Sequence, residues 1–147
     1  MGLLRAQFGT ILIPKAVWAE LSCLEHELGR QALGQARAEG WIEVHEAANS
    51  PMIGILGVTL DAGESEAIAM SLEWPADLLI MDETSGRAMA RNLKISITGT
   101  RGILLKAKRD GGIPSLEAEM DRLVRDAGFF VSDHVRIKFL AEAGESP

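Results

Sequence analysis

The stretch Asp77-Leu78-Leu79-Ile80-Met81-Asp82 decides the fold class of this chain. Its four consecutive apolar residues are typical of a short strand that is buried on both faces, as the strands of parallel sheets are. Helical patterns lie on either side of it, over residues 63–74 and 85–93. A strand between two helices indicates crossover connections, and we therefore expect an α/β protein with a parallel sheet.

The same alternation of short apolar runs and helical patterns extends over the rest of the chain. The predicted strands lie over residues 10–13, 41–45, 77–81 and 95–98, and the predicted helices lie over residues 14–28, 30–39, 63–74, 85–93, 100–110, 114–128 and 132–143. Residues 49–62 are predicted to be a loop with a short apolar piece. We expect a single domain over residues 1–147, with a short parallel sheet that helices cover on both faces.

The composition is that of a soluble globular protein, with 47% hydrophobic and 24% charged residues. No apolar run approaches the length of a membrane span, and no leader pattern opens the chain. Cys23 is alone, which excludes an internal disulfide and fits a reducing compartment. We therefore expect a cytoplasmic protein that does not bind a membrane.

Charge is unevenly distributed along the chain. Residues 38–86 contain ten acids and no Lys or Arg, whereas residues 87–109 contain seven bases and no acid. Gathered carboxylates can hold divalent cations, and bases nearby can hold phosphates. The pattern indicates a metal-dependent enzyme that acts on nucleic acid, although two solvated surfaces of opposite charge would give the same pattern. Because the net charge is −6, a contact with nucleic acid must use a local patch.

Asp82 and Glu64 are the strongest candidates for functional acids. Asp82 follows the apolar run directly, and ligands of parallel sheets bind outside the carboxyl ends of the strands. The structural alternative for Asp82 is the N-cap of the next helix. Glu64 shares a helix face with Ala67 and Ile68, and a carboxylate on a buried face is costly unless it is paired or bound to a metal. The structural alternative for Glu64 is a favourable charge in the first helical turn.

Two further acids, Glu66 and Glu20, lie away from the centre of the apolar face of their helices. Glu66 points away from the face that carries Glu64, which predicts a solvated side chain. Glu20 lies at the edge of the apolar stripe of its helix, where it reaches either the edge of the sheet or water.

Other kinds of site lack support in the sequence. Ser132, Asp133 and His134 are consecutive, whereas a catalytic triad converges from separate elements. There is no His-x-x-x-His and no paired Cys, so no zinc site is predicted. Residues 98–102 lack the Gly-Lys-Ser/Thr pattern of a phosphate loop, but backbone N–H groups between a strand and a helix can still face an anion.

Several segments, taken in order, resemble segments of PIN-domain proteins. Within that family they are similar to a VapC-like subgroup of predicted nucleic-acid-binding proteins. They are Phe8-Gly9, Ile13-Pro14, Val17 and Glu20-Leu21 near the start, Gly63-Glu64-Ser65-Glu66-Ala67-Ile68, Leu79-Ile80-Met81-Asp82-Glu83 and Gly86-Arg87 in the middle, and Thr98-Gly99-Thr100, Gly102, Leu104-Leu105, Ala107-Lys108, Gly112, Pro114, Ala127-Gly128-Phe129 and Ser132 in the later half. The match spans nearly the whole chain, and the order of the motifs is more specific than any one of them.

The resemblance implies a three-layer PIN-like fold and a Mg²⁺- or Mn²⁺-dependent endoribonuclease, which in many relatives is the toxin of a toxin–antitoxin pair. Carried over by motif, Glu20, Glu64 and Asp82 are the catalytic and metal-binding residues, with Glu66 and Glu83 as auxiliary metal ligands. Bound ions of this kind activate water and stabilise the charge that develops on the phosphate. The candidate RNA-binding residues are Arg87, Arg91, Arg101, Thr98 and Thr100. The expected partners are RNA and an antitoxin protein.

The chain departs from the family pattern at its start. Family members begin with an Asp-bearing strand in the middle of the sheet, whereas here Met1 stands just before Leu3-Leu4. We therefore expect the first family strand to be missing, which removes a metal ligand and leaves two strands without a shared neighbour. Either the true start lies upstream or the chain is a truncated variant. Exposed sheet edges favour self-association, so a homodimer is expected.

The absent Asp motivates an alternative to the nuclease, namely a non-catalytic PIN-like module that binds RNA or a partner protein without cutting it. A third hypothesis is a phosphoacceptor domain in which Asp82 is phosphorylated. The lack of an acidic pair after an early first strand counts against that third hypothesis.

Overall fold

The computed structural model describes residues 2–74, 76–128 and 131–145. Its strands are β1 (Ile11–Pro14), β2 (Ile42–His45), β3 (Leu79–Ile80) and β4 (Ile97–Thr98), and its helices are α1 (Gly2–Phe8), α2 (Lys15–Ser22), α3 (Glu27–Ala38), α4 (Ser50–Leu56), α5 (Ala62–Glu73), α6 (Thr84–Asn92), α7 (Thr100–Arg109), α8 (Leu116–Ala127) and α9 (Asp133–Glu142). The chain divides into two compact units, residues 1–99 and residues 100–147. The expectation of a single domain therefore stays a prediction.

The strands of the first unit pair in parallel, as the alternation of strands and helices predicts. Strand β1 pairs with β2, with Ile11 opposite Ile42, and β3 pairs with β4, with Leu79 opposite Ile97. The described strands form two separate two-stranded sheets rather than one continuous sheet. The fold class is nevertheless confirmed, since both sheets are short, parallel and accompanied by helices.

Helix α5 is the packing centre of the first unit. It contacts β1, β3 and the helices α2, α4 and α6. Its residues Ile68 and Ala69 have no exposed surface. Ile68 belongs to a cluster with Leu56, Leu60 and Met81, and burial of a side chain of this size contributes about 1.5–3 kcal/mol. The buried face of α5 thus fixes the helix that carries Glu64.

Residues 50–56 form helix α4, and the prediction of a loop over residues 49–62 is wrong there. The Asn49 side chain accepts a hydrogen bond from Met52 N at 3.2 Å, and Pro51 lies in the first turn, where its missing N–H costs nothing. Leu56 is buried in the cluster around Ile68, which supplies the tertiary contact that the short helix needs. The short helix α1 was likewise not among the predicted elements.

The break between α2 and α3 lies earlier than the predicted break at Gly29. Helix α2 ends at Ser22, and His26 caps α3 by accepting a hydrogen bond from Gly29 N at 3.1 Å. Gly29 is therefore inside the first turn of α3. The other predicted elements are present with shifted ends.

The second unit contains α7, α8 and α9. Leu116, Met120 and Leu140 have no exposed surface. Helix α8 begins after Ser115, whose hydroxyl accepts from Ala118 N, and ends at Gly128 in the left-handed conformation that glycine favours. Phe129, part of the predicted family motif, lies outside the described residues. Among residues 2–74, 76–128 and 131–145, no helix is both long and apolar enough to cross a bilayer.

The acid Glu145 holds the first turn of α8. Its carboxylate accepts hydrogen bonds from Leu116 N at 2.7 Å and Glu117 N at 3.0 Å, and it lies 2.7 Å from the Lys108 ammonium. These donors, Lys108 first, hold the pKa of Glu145 down at about 2, well below its usual value of 4.5. The ionised carboxylate is therefore the form that stabilises the second unit.

We expect Glu145→Gln to lower the free energy of unfolding at pH 7, because the uncharged amide binds Lys108 and the helix N-terminus less strongly. The pKa is depressed in the folded protein, so the wild-type advantage is complete above about pH 5 and is lost as the pH falls from 4.5 towards about 2. Urea unfolding of both proteins between pH 7 and pH 3 measures this. Asp110→Asn, at an exposed pair with Lys106, is the control and should change little. A difference that does not depend on pH would contradict the assignment.

Candidate functional site

The first turn of α5 places Glu64 inside the first unit. Asp61 caps the helix by accepting a hydrogen bond from Glu64 N at 2.7 Å, which fixes the start of the helix and the direction of the Glu64 side chain. The carboxylate lies against the first turn of α6, since a Cβ atom on Gly86 would come within 2.6 Å of Glu64 Oε1. Oε1 is buried, and no described residue donates a hydrogen bond to it. The prediction that Glu64 lies on the buried face agrees with this position.

The surroundings of Glu64 oppose its ionisation. Burial raises the pKa of Glu64 above its usual value, and the negative charges of Asp61 and Glu83 raise it further. Backbone contacts of the carboxylate at Asp61 and Gly86 offset part of this effect, but neither makes a hydrogen bond to Oε1. A buried carboxylate oxygen without a donor, close to other acids, is an environment that a cation would stabilise.

Glu20 lies over the start of the same helix. Its side chain projects from α2, which packs against α5, and its two carboxylate oxygens lie 3.1 and 3.3 Å from the position that a Cβ atom would take on Gly63. Gly63 directly precedes Glu64 in the chain. A glycine at this position therefore allows the carboxylate of Glu20 to approach the turn from which Glu64 projects.

Asp82 follows β3 at the carboxyl end of the strand, where the sequence places it. Its carboxylate lies over Gly99, which follows β4, so closely that a Cβ atom on Gly99 would overlap with Asp82 Oδ1. The alternative role of Asp82 as a helix N-cap is wrong, because Glu83 occupies the N-cap position of α6 and makes no side-chain cap hydrogen bond. Asp82 is thus held between the two strand ends and the helix.

Arg87 connects the ends of β3 and β4. Its Nη1 donates hydrogen bonds to the carbonyl oxygens of Met81 at 2.6 Å and Thr98 at 3.2 Å. Thr98 itself lies in β4 and is half-buried. Arg91 lies in the last turn of the same helix and is exposed. The role of these residues in binding RNA stays a prediction.

The two auxiliary acids are placed differently. Glu66 is half-buried rather than solvated, and it accepts a hydrogen bond from Ala16 N at 3.0 Å in the first turn of α2. This contact fixes the helix that carries Glu20. Glu83 is exposed at the start of α6, and its charge acts on Glu64.

Thr100 and Arg101 belong to the second unit, in the first turn of α7. Arg101 forms an ion pair with Glu142 and lies over the ring of Phe139, 5.4 Å from its centroid. Arg101 therefore has an acidic and an aromatic partner in this unit, and its role in binding RNA stays a prediction.

The sequence does not show that Gly63, Gly86 and Gly99 lie against the candidate acids. Each of these glycines faces one acid: Glu20, Glu64 and Asp82 respectively. The available signal was that each glycine lies at or next to the start of a helix or the end of a strand. Which acid would lie over which glycine depends on contacts between distant segments, and a single sequence does not show these.

The donors fit a hard divalent cation in their chemistry. Carboxylate oxygens are the ligands of Mg²⁺, which is commonly bound by only one or two carboxylates together with water and substrate oxygens. Within the described ranges, no group of three or more His, Cys, Asp or Glu residues lies close enough to hold a metal ion. The buried Oε1 of Glu64 is the observation that favours a cation here.

Parallel strands with an acid at a strand end and another in an adjoining helical turn define an α/β protein with an acidic site at the edge of a short sheet. A family model described as a PIN domain matches residues 1–145, and the chain therefore belongs to the PIN-domain family. No curated protein and no solved structure matches the chain significantly. At the level of the family, this membership indicates a nuclease-type function on nucleic acid and a general dependence on divalent metal ions.

We expect Glu64→Gln to raise the thermal stability of the metal-free protein at pH 7. The raised pKa means that the folded state disfavours the ionised carboxylate. The wild type therefore loses stability as the pH rises through the pKa of the unfolded state, and the stability of the variant relative to the wild type should increase from pH 4 to pH 7. Melting curves in EDTA over this range measure the difference. Glu25→Gln, at an exposed position of the same unit, is the control. A variant less stable than the wild type at pH 7 would show that the charge of Glu64 is satisfied without a metal.

Proposed function

We propose that this protein is a Mg²⁺- or Mn²⁺-dependent endoribonuclease of the VapC-like toxin type, acting on RNA in the cytoplasm. The observation that carries the proposal is the buried Oε1 of Glu64, which has no donor among the described residues although the charges of Asp61 and Glu83 act on its carboxylate. Membership of the PIN-domain family supports the same reading.

In the proposed mechanism, Glu20, Glu64 and Asp82 hold the metal, with Glu83 as a further charge close to Glu64. A bound divalent cation supplies a nucleophile by lowering the pKa of water and stabilises charge on the phosphate. Glu64 would bind the ion through a carboxylate whose buried Oε1 is shielded from water. The pKa of Glu64 is raised, so its ionised form is unfavourable without a counter-charge, and a nearby cation would stabilise that form. Glu66 acts through α2, whose first turn it holds.

We propose that the basic residues that follow the acids bind the RNA backbone. Arg91 is exposed on α6, the helix that follows Asp82, and is the first candidate. Arg101, Thr98 and Thr100 are further candidates. The sequence predicts the same role for Arg87, whose guanidinium in the structure donates to two backbone carbonyls.

The two separate sheets support the proposal that the family's first strand is missing from the described unit. The hydrogen bonds of β1 and β3 to their partners use the backbone of Ile11 and Leu79, so the backbone groups of Leu12 and Ile80 point away from those partners. An Asp-bearing strand on these edges would add a fourth acid. Open edges also favour association with a second copy or with an antitoxin. The intact mass of the protein from its native cell would show whether a preceding segment supplies such a strand.

We expect Asp82→Asn to reduce Mn²⁺-dependent cleavage of RNA at least about 100-fold. Loss of a residue that only supports a metal ligand typically costs about 10- to 100-fold, and loss of a ligand should cost more. The amide keeps the shape of the side chain but loses the charge that binds the cation. Cleavage of a labelled RNA with Mn²⁺ and with EDTA measures the loss, and melting curves verify the fold. Asp77→Asn, an exposed substitution just ahead of β3, is the matched control and should retain activity. Full activity of Asp82→Asn would refute the assignment.

The second candidate function is a non-catalytic PIN-like module that binds RNA or a partner protein. The absence of three converging acids among the described residues favours it. Calorimetric titration of the wild type with Mn²⁺ separates the two functions. Binding at millimolar metal or below supports the nuclease, whereas no binding together with retained affinity for RNA supports the module.

A further inference from the structure

Two residues that are not among the proposed metal ligands, Arg87 and Gly99, lie close to Asp82 or to the backbone beside it. Asp82 lies in the short connection between β3 and α6, with only Glu83 between it and the helix. Its carboxylate lies over Gly99, the residue that follows β4. The side chain is therefore located by the ends of two neighbouring strands and not by its own strand alone.

Arg87 holds these two strand ends together. The carbonyl groups that accept its hydrogen bonds belong to Met81 and Thr98, which directly precede Asp82 and Gly99. The backbone N–H of Arg87 donates to Glu83 O at 2.9 Å, which anchors the residue in the first turns of α6. One side chain thus connects β3, β4 and α6 at the point where Asp82 leaves the sheet. Hydrogen bonds from a charged donor are stronger than those between neutral groups.

Gly99 leaves space beside which both charged side chains lie. A Cβ atom at this position would overlap with Asp82 Oδ1, and would lie 3.0 Å from Arg87 Nη1 and 3.1 Å from the carbonyl oxygen of Met81. The requirement for glycine is thus one of space. Gly54, by contrast, has no heavy atom within 4 Å of the same position.

We propose that Arg87 and Gly99 are positioning residues for the carboxylate of Asp82: Arg87 by joining the ends of β3 and β4, and Gly99 by leaving the space that the carboxylate fills. The consequence for metal binding rests on the proposed function, since it requires Asp82 to be a ligand. The consequence for the location of Asp82 does not require it.

The first test is Gly99→Ala, with Gly54→Ala as the matched control. We expect a crystal structure of metal-free Gly99→Ala to keep the pairing of β3 and β4 but to show the Asp82 carboxylate displaced from residue 99. Calorimetry should give Mn²⁺ binding weakened roughly 10-fold or more, as for loss of a group that orients a ligand. Gly54→Ala should leave the dissociation constant within about twofold of the wild-type value.

The second test uses Arg87→Lys, which keeps the charge but not the two-sided reach of the guanidinium. We expect Arg87→Lys to weaken Mn²⁺ binding as well. Adding Gly99→Ala to Asp82→Ala should cause no further loss of Mn²⁺ affinity, because Gly99 acts through Asp82. An unmoved carboxylate in Gly99→Ala would overturn the proposal, as would Mn²⁺ binding within twofold of wild type in both Gly99→Ala and Arg87→Lys. If the wild type binds no Mn²⁺, the proposed function fails, and the crystal structure of Gly99→Ala alone decides the positioning claim.

Discussion

The burial of α5 is the constraint on which the candidate site depends. Ile68 and Ala69 are fully buried, and the helix packs between the two short sheets and three other helices. Glu64 lies one turn ahead of Ile68 on the same helix, so it projects from the buried side of α5; the residue is half-buried and its Oε1 is buried. The resulting Oε1 without a donor is costly in the metal-free protein. Such a cost is acceptable at a position where a cation binds.

The three candidate acids come from elements that are distant in the chain. Glu20 reaches the start of α5 from α2, and Asp82 arrives from the end of β3. Each of the three carboxylates approaches a backbone segment where a glycine leaves room for it. Each carboxylate is therefore close to the backbone, but no three acids of the described residues converge closely enough to hold a metal ion. Membership of the PIN-domain family gives this arrangement a nuclease-type context.

The sequence predicts the parts of this arrangement that depend on local pattern. The apolar run ahead of Asp82 predicts its place at the carboxyl end of a strand, and the helical period predicts the buried face that Glu64 shares. The pattern does not predict helix α4, which lies within residues predicted to be a loop. Capping by Asn49 and burial of Leu56 stabilise this helix. Contacts between distant segments decide the rest. Examples are the hydrogen bond from Ala16 N to the Glu66 carboxylate and the hydrogen bonds from Arg87 to the strand ends. A single sequence does not predict such contacts.

Anomalous diffraction from crystals soaked in Mn²⁺ tests the central claim most directly. We expect one or two manganese peaks within coordination distance of the Glu64 and Asp82 carboxylates, with Glu20 close to the same ions. A peak bound to Glu64 Oε1 would explain why a buried oxygen has no donor among the described residues. No peak at millimolar Mn²⁺, or peaks only at exposed surface acids, would contradict a metal-dependent nuclease site at this position.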